Sequence, residues 1–238
     1  MRAADMNMRL IYETPASYSA PERQAVVTQE VERPSKNWVR EVITGVREGE
    51  HVRLRTADFV LLPDQQRRCV TVPNRWREED RCMNVAPKTE AMFPCLYSPC
   101  RINWLAFTVD PALRSIRDLR ARHLPMLERM QRLSLKAMVK EFGVDEDQIM
   151  VFANYPPSVY QLHFHFTMPF IQTSAYDAFR MHSLATIINN LRLYPDYYRD
   201  STMRIPVHAA SDLYAALCLE PACYSDDEST ENLSEACI

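Results

Sequence analysis

The residues best suited to chemistry stand in one stretch, Ser158-Val159-Tyr160-Gln161-Leu162-His163-Phe164-His165-Phe166-Thr167. Its polar and apolar residues alternate strictly. In a strand, successive side chains point to opposite faces, so Gln161, His163, His165 and Thr167 line one face while Tyr160, Leu162, Phe164 and Phe166 fill the other. Same-face neighbours lie about 7 Å apart at roughly 3.3 Å per residue, a spacing at which two imidazoles engage a phosphate chain along its length. Such a row is poor core material, because two buried imidazoles and an amide demand many hydrogen-bond partners. Three chemistries are open to it. The histidines are hydrogen-bonded side chains on a wet sheet face; or they are two ligands of a metal, although the strand offers no carboxylate or cysteine beside them; or neutral His163 attacks phosphorus and forms a covalent nucleotidyl-histidine while its neighbours hold the phosphate oxygens. The third needs neither metal nor glycine loop.

Composition narrows the choice. The chain has 238 residues, 47% apolar and 25% charged, an ordinary globular balance that excludes collagenous, coiled-coil and wholly disordered classes. It contains only three glycines, Gly45, Gly49 and Gly143, where average usage would give about 17. A Walker A loop and a dinucleotide-binding turn both need several glycines close together, so phosphate, if bound, is held mainly by side chains. The net charge of −3 argues against a broad nucleic-acid surface. No apolar run approaches 18 residues and the first ten lack a signal-peptide core, which predicts a soluble intracellular protein. Among the seven cysteines, Cys69, Cys82, Cys95 and Cys100 are spaced by 13, 13 and 5, which does not match paired zinc ligands and favours free thiols.

The elements that would position the row follow from periodicity and punctuation. Residues 15–36 are rich in Pro, Ser, Glu and Gln and read as an extended or loosely ordered lead-in. From Trp38 to Pro63, short β-rich runs separated by Gly45 and Gly49 predict a small antiparallel sheet. Residues 64–101 lack periodicity and read as a Cys- and Arg-rich insertion. Strands are predicted at 102–109, 148–155, 159–168 and 203–208, and helices at 122–142, 174–193 and near 211–219. The acidic tail with Asp226, Asp227, Glu228 and Glu231 reads as solvated disorder. Strands with tight turns alternating with long helices indicate an α+β fold, with packed helices and a small β-rich segment ahead of the main sheet.

The segment QLHFHF resembles the histidine-triad motif, with Gln161 at the first histidine position. The surrounding text narrows the resemblance to the scavenger mRNA decapping enzymes. Arg9-Leu10-Ile11-Tyr12-Glu13-Thr14, Trp38-Val39, Phe59 to Asp64, Leu113 to Leu119, His123 to Leu127, Pro157-Ser158 and Arg180-Met181-His182 fall in family order, covering most of residues 8–220 outside 65–101.

The resemblance implies an antiparallel histidine-triad sheet over 102–220, a cap-binding segment over 37–101, and 1–36 as the remnant of a domain exchanged between subunits. It implies a homodimer of cytoplasm and nucleus that needs no cofactor or metal, engages neither membrane nor double-stranded nucleic acid, and hydrolyses 7-methylguanosine cap dinucleotides or short capped RNA. His163 matches the nucleophile, with His165 and Gln161 as its catalytic neighbours. Trp38 matches the cap-stacking residue, Glu48 the carboxylate on the methylated guanine, Asp64 a further cap contact, and Ser158 and Arg180 phosphate contacts. A cationic methylated base suits an indole face and a carboxylate edge. Departures stand at Gln161, Asn154, Val159 and Gln66, and keep two alternatives open: a cap-binding protein of weakened catalysis, and a hydrolase of other nucleotide polyphosphates.

Overall fold

A computed structural model describes residues 7–46, 51–64, 103–168 and 175–218. Glu48, the insertion with Cys69, Cys82, Cys95 and Cys100, and the tail from 221 lie outside the described residues. The chain runs β1 (Met8–Glu13), α1 (Pro15–Ser19), α2 (Pro21–Glu32), α3 (Asn37–Thr44), β2 (Leu54–Arg55), β3 (Phe59–Pro63) and β4 (Asn103–Thr108). It continues with α4 (Leu124–Phe142), β5 (Met150–Asn154), β6 (His163–Thr167), α5 (Ala175–Arg180), β7 (Met181–Ser183), α6 (Leu184–Leu193), α7 (Tyr197–Asp200), β8 (Met203–His208) and α8 (Asp212–Cys218). Six strands form one antiparallel sheet in the order β2-β3-β4-β6-β5-β7, and β1 pairs with β8 in a separate two-stranded ribbon. This is the α+β class expected.

The period of two sorts the sheet residues. Phe59, Leu61, Trp104, Ala106, Phe164 and Phe166 face the main core, where they meet Leu127, Met130 and Met138 of α4 and Leu184, Ile187 and Leu191 of α6. On the other face Val60, Leu62, Leu105 and Phe107 pack against Val39 and Val42 of α3. That second face carries the histidines, because Phe107 pairs with His163 and Leu105 with His165. α4 begins with Pro125 in its first turn and stops at Gly143, whose φ of +69° closes the helix.

Four expectations change. Asn37–Thr44 is a helix rather than a strand: Val39, Val42 and Ile43 sit at helical spacing, and so short an apolar run does not separate the two periods. Residues 15–36 are not a loose lead-in but α1, α2 and a 3-10 turn at Pro34–Lys36. α2 shows almost no apolar stripe in the sequence, because the residues it buries are Arg23 and Val27. The motif strand begins at His163 rather than Val159. The helix expected over 174–193 is broken by β7, which pairs with β5, and Ser183 restarts it as the cap of α6.

Arg23 is buried because it meets Glu13. Its Nε donates to Glu13 Oε1 at 2.8 Å, and Arg117 Nη2 donates to Glu13 Oε2 at 3.0 Å, with all three side chains fully enclosed. The Tyr155 hydroxyl donates to the same carboxylate, and Arg117 Nη1 donates to the Tyr198 carbonyl at 3.0 Å. Removing one partner from such a cluster leaves an uncompensated buried charge, so Arg117→Met is expected to cost about 3–5 kcal/mol. Urea unfolding checks this; a loss below about 1 kcal/mol would show that the cluster does not hold the fold together.

His182 lies beside this cluster, its ring edge-on to Tyr155 at 6.5 Å. Burial and the Arg117 charge push its imidazole down to about 4 from an ordinary value of 6.5. The unfolded chain therefore binds the proton first, and stability falls as pH drops from 6.5 toward 4. Urea midpoints measured from pH 7 to pH 4.5 should fall less steeply in His182→Leu than in the wild type.

Candidate active site

β6 is the central element of the site. It lies between β4 and β5, and its alternation gives Phe164 and Phe166 to the core while His163, His165 and Thr167 stay on the α3 face. Both imidazoles are buried within rings. His163 rests on Phe107 with centroids 4.9 Å apart, His165 stacks on Phe152 at 5.0 Å and 12°, and the two imidazoles are 5.3 Å apart. The Asn154 amide reaches His165 Nε2 at 3.4 Å.

His163 Nδ1 sits 2.7 Å from the Gln161 carbonyl oxygen. A carbonyl can only accept, so Nδ1 carries the proton of the neutral ring and the lone pair belongs to Nε2. Burial holds the His163 imidazole below its ordinary value, and the Arg180 and Lys36 charges push the same way. The Gln161 carbonyl and Asp64 oppose them without reversing the direction. The ring is thus neutral and nucleophilic at physiological pH.

The other expected residues are placed unequally. Trp38, on the first turn of α3, is half-buried and meets Phe107 edge-on at 5.8 Å, so Trp38, Phe107 and His163 form a continuous ring ladder. Asp64 follows β3 on the same face, where its carboxylate accepts from Asn103 Nδ2 at 2.8 Å. It stands four residues along β4 from Phe107, about 13 Å at roughly 3.3 Å per residue, and marks the far end of the row. Arg180 donates through Nε at 3.1 Å and Nη2 at 2.6 Å to the Pro156 carbonyl, holding its guanidinium beside the turn that carries Ser158, which is exposed. Gln161 lies outside β6, and its amide turns to Thr108 and Asp110 rather than to the other histidine-face residues.

Lys36 joins the site without a sequence signal. It caps α3 two residues before Trp38, and its charge acts on His163, yet an isolated lysine after Pro34-Ser35 reads as ordinary surface. Phe107 is hidden for a different reason: the strand containing it is legible, but its register against β6 is not. Among the described residues, no group of three or more His, Cys, Asp or Glu is arranged to hold a metal ion.

Residues 89–178 match the family model described as "Scavenger mRNA decapping enzyme C-term binding". The m7GpppX diphosphatase of Ascaris suum is 27% identical over 214 residues, 88% of this chain and 61% of that protein. Over these residues the chain is similar to the scavenger mRNA decapping family. Shorter matches run higher in identity: the m7GpppX diphosphatase of Bos taurus is 35% identical over 105 residues, 44% of this chain and 31% of that protein. That of Caenorhabditis elegans is 38% identical over 99 residues, 42% of this chain and 32% of that protein. The chain thus spans between about a third and three-fifths of the length of these decapping relatives. A solved structure of the aprataxin ortholog Hnt3 from Schizosaccharomyces pombe aligns with a TM-score of 0.40 at 15% identity, covering 76% of this chain and 90% of that one.

The neutral state of His163 is open to measurement. Its imidazole is expected to titrate below 6.5 in the free protein, by NMR of labelled histidine. Lys36→Met should raise that value by removing a neighbouring positive charge. A His163 that titrates above 6.5 would mean that Asp64 and the Gln161 carbonyl outweigh burial at this ring.

Proposed function

We propose that the protein hydrolyses 7-methylguanosine cap dinucleotides or short capped RNA through a nucleotidyl-histidine formed at His163. The observation that carries this reading is the bond between His163 Nδ1 and the Gln161 carbonyl, which leaves the Nε2 lone pair on the face shared with Trp38 and Arg180. In the first step Nε2 bonds to the phosphorus attached to 7-methylguanosine, and that phosphorus releases the oxygen of the departing nucleoside diphosphate. A proton from His165 or from the substrate phosphate neutralises the departing oxygen. Water then attacks the same phosphorus, the P–N bond breaks, and 7-methylguanosine monophosphate leaves with His163 restored. Arg180 and Lys36 supply positive charge beside the phosphates, Trp38 offers an aromatic surface to a cationic base, and Asp64 and Glu48 are assigned to the cap. The relatives named m7GpppX diphosphatase support the same assignment. The protein acts, in this reading, as a homodimer in cytoplasm and nucleus.

The test is hydrolysis of a methylated cap dinucleotide in EDTA. Wild type should release 7-methylguanosine monophosphate with EDTA present, and His163→Ala should lower kcat by at least about a thousandfold. Undiminished activity in the variant, or its loss in EDTA, overturns the mechanism. Tight binding without product favours the cap-binding alternative, and equal turnover of unmethylated dinucleotide favours a broader polyphosphate hydrolase.

A further inference from the structure

We propose that Gln161 is a positioning residue whose side-chain amide locks the peptide that holds His163 in its attacking tautomer. The proposal deepens the mechanism above and rests on it for its catalytic consequence. Gln161 Nε2 lies 2.8 Å from the Thr108 carbonyl oxygen, 3.0 Å from the Asp110 carbonyl oxygen and 3.1 Å from Thr108 Oγ1. The return contacts come from β4. Thr108 donates its backbone N–H at 2.9 Å and its hydroxyl at 3.1 Å to the Leu162 carbonyl, and Leu162 N–H donates to the Leu113 carbonyl at 2.8 Å. The two residues before the nucleophile are therefore fastened on both sides to the end of β4 and the turn after it. The Gln161 carbonyl is left aimed at His163 Nδ1.

The residue type matters because of what surrounds the side chain. Two of its three acceptors are carbonyl oxygens, which accept and never donate. An amide nitrogen carries two N–H groups and serves both carbonyls while staying neutral. A neutral imidazole has one N–H, so a histidine at 161 satisfies one carbonyl unless it becomes charged; a carboxylate would bring a third set of lone pairs to the same place. Glutamine also does not titrate, so the hold on His163 is the same on either side of neutral pH. Gln161 acts entirely through His163: its own amide faces β4 and not the phosphate row.

The experiment reads the tautomer of His163 by nitrogen NMR in the ligand-free protein and, separately, the hydrolysis of methylated cap dinucleotide. Wild type should show the single Nδ1–H form. Gln161→Met keeps the length and removes both donors, and should give mixed tautomers with kcat lowered roughly tenfold and KM changed by less than about twofold. Gln161→His keeps one donor and should fall between. Gln161→Glu, ionised at neutral pH, supplies no donor to the two carbonyls and should lose at least as much activity as Gln161→Met at pH 7 to 8. A wild-type tautomer in Gln161→Met overturns the proposal whatever the activity. If Gln161→Met does not fold, Gln161→His decides, and an unchanged tautomer and kcat there overturn it equally. Should tautomers follow the expected order while even wild type leaves the dinucleotide intact, the proposed function fails and the positioning role stands.

Discussion

A carboxylate sealed away from water organises this fold. Glu13 is fully enclosed at the end of β1, and it is tolerable there only because Arg23 from α2, Arg117 from the turn before α4 and the Tyr155 hydroxyl from the end of β5 converge on its two oxygens. Four distant parts of the chain are thereby held to one point. The Arg23 guanidinium also lies over the rings of Tyr18 at 5.4 Å and Tyr160 at 5.6 Å, which adds cation–π attraction to the ion pair. The cluster also reaches Arg180. Tyr155 donates its backbone N–H to the Arg180 carbonyl at 2.8 Å, and the Arg180 guanidinium returns to the next residue, Pro156.

The site combines this frame with a second economy. A chain with three glycines has little means of wrapping backbone N–H groups around phosphate. β6 instead presents imidazoles at strand spacing, Arg180 fixes one charge beside the following turn, and the start of α3 contributes another through Lys36. The ring ladder from Trp38 through Phe107 to His163 makes the start of α3 and the imidazole of β6 a single packed unit. Shifting α3 would therefore disturb the surroundings of His163 as well as the exposed part of Trp38.

Much of this is legible in the order of residues, and the failures have physical causes. His163, His165 and their apolar neighbours can be assigned to opposite faces because a strand's period is two, and α4 can be bounded because Gly143 ends it. α2 is invisible because it is buried through a guanidinium instead of an apolar stripe. Asn37–Thr44 looks like a strand because β-branched residues at short spacing satisfy either period. The row itself is only partly legible: Gln161 keeps the alternation in sequence, but the chain has not yet entered β6 there, so its side chain is able to turn toward β4.

The ribbon of β1 and β8 has a mechanical meaning. It is antiparallel, with Met8 opposite His208 at one end and Glu13 opposite Met203 at the other. Past His208 the chain enters α8, whose Leu213, Tyr214 and Leu217 pack against the core, so tension applied at that end must first lift α8 and only then peels the ribbon one residue pair at a time rather than shearing all its bonds together. A front entering from the Met8–His208 end meets Glu13 last. The ion cluster thus serves as a stop, beyond which further pulling must separate buried charges.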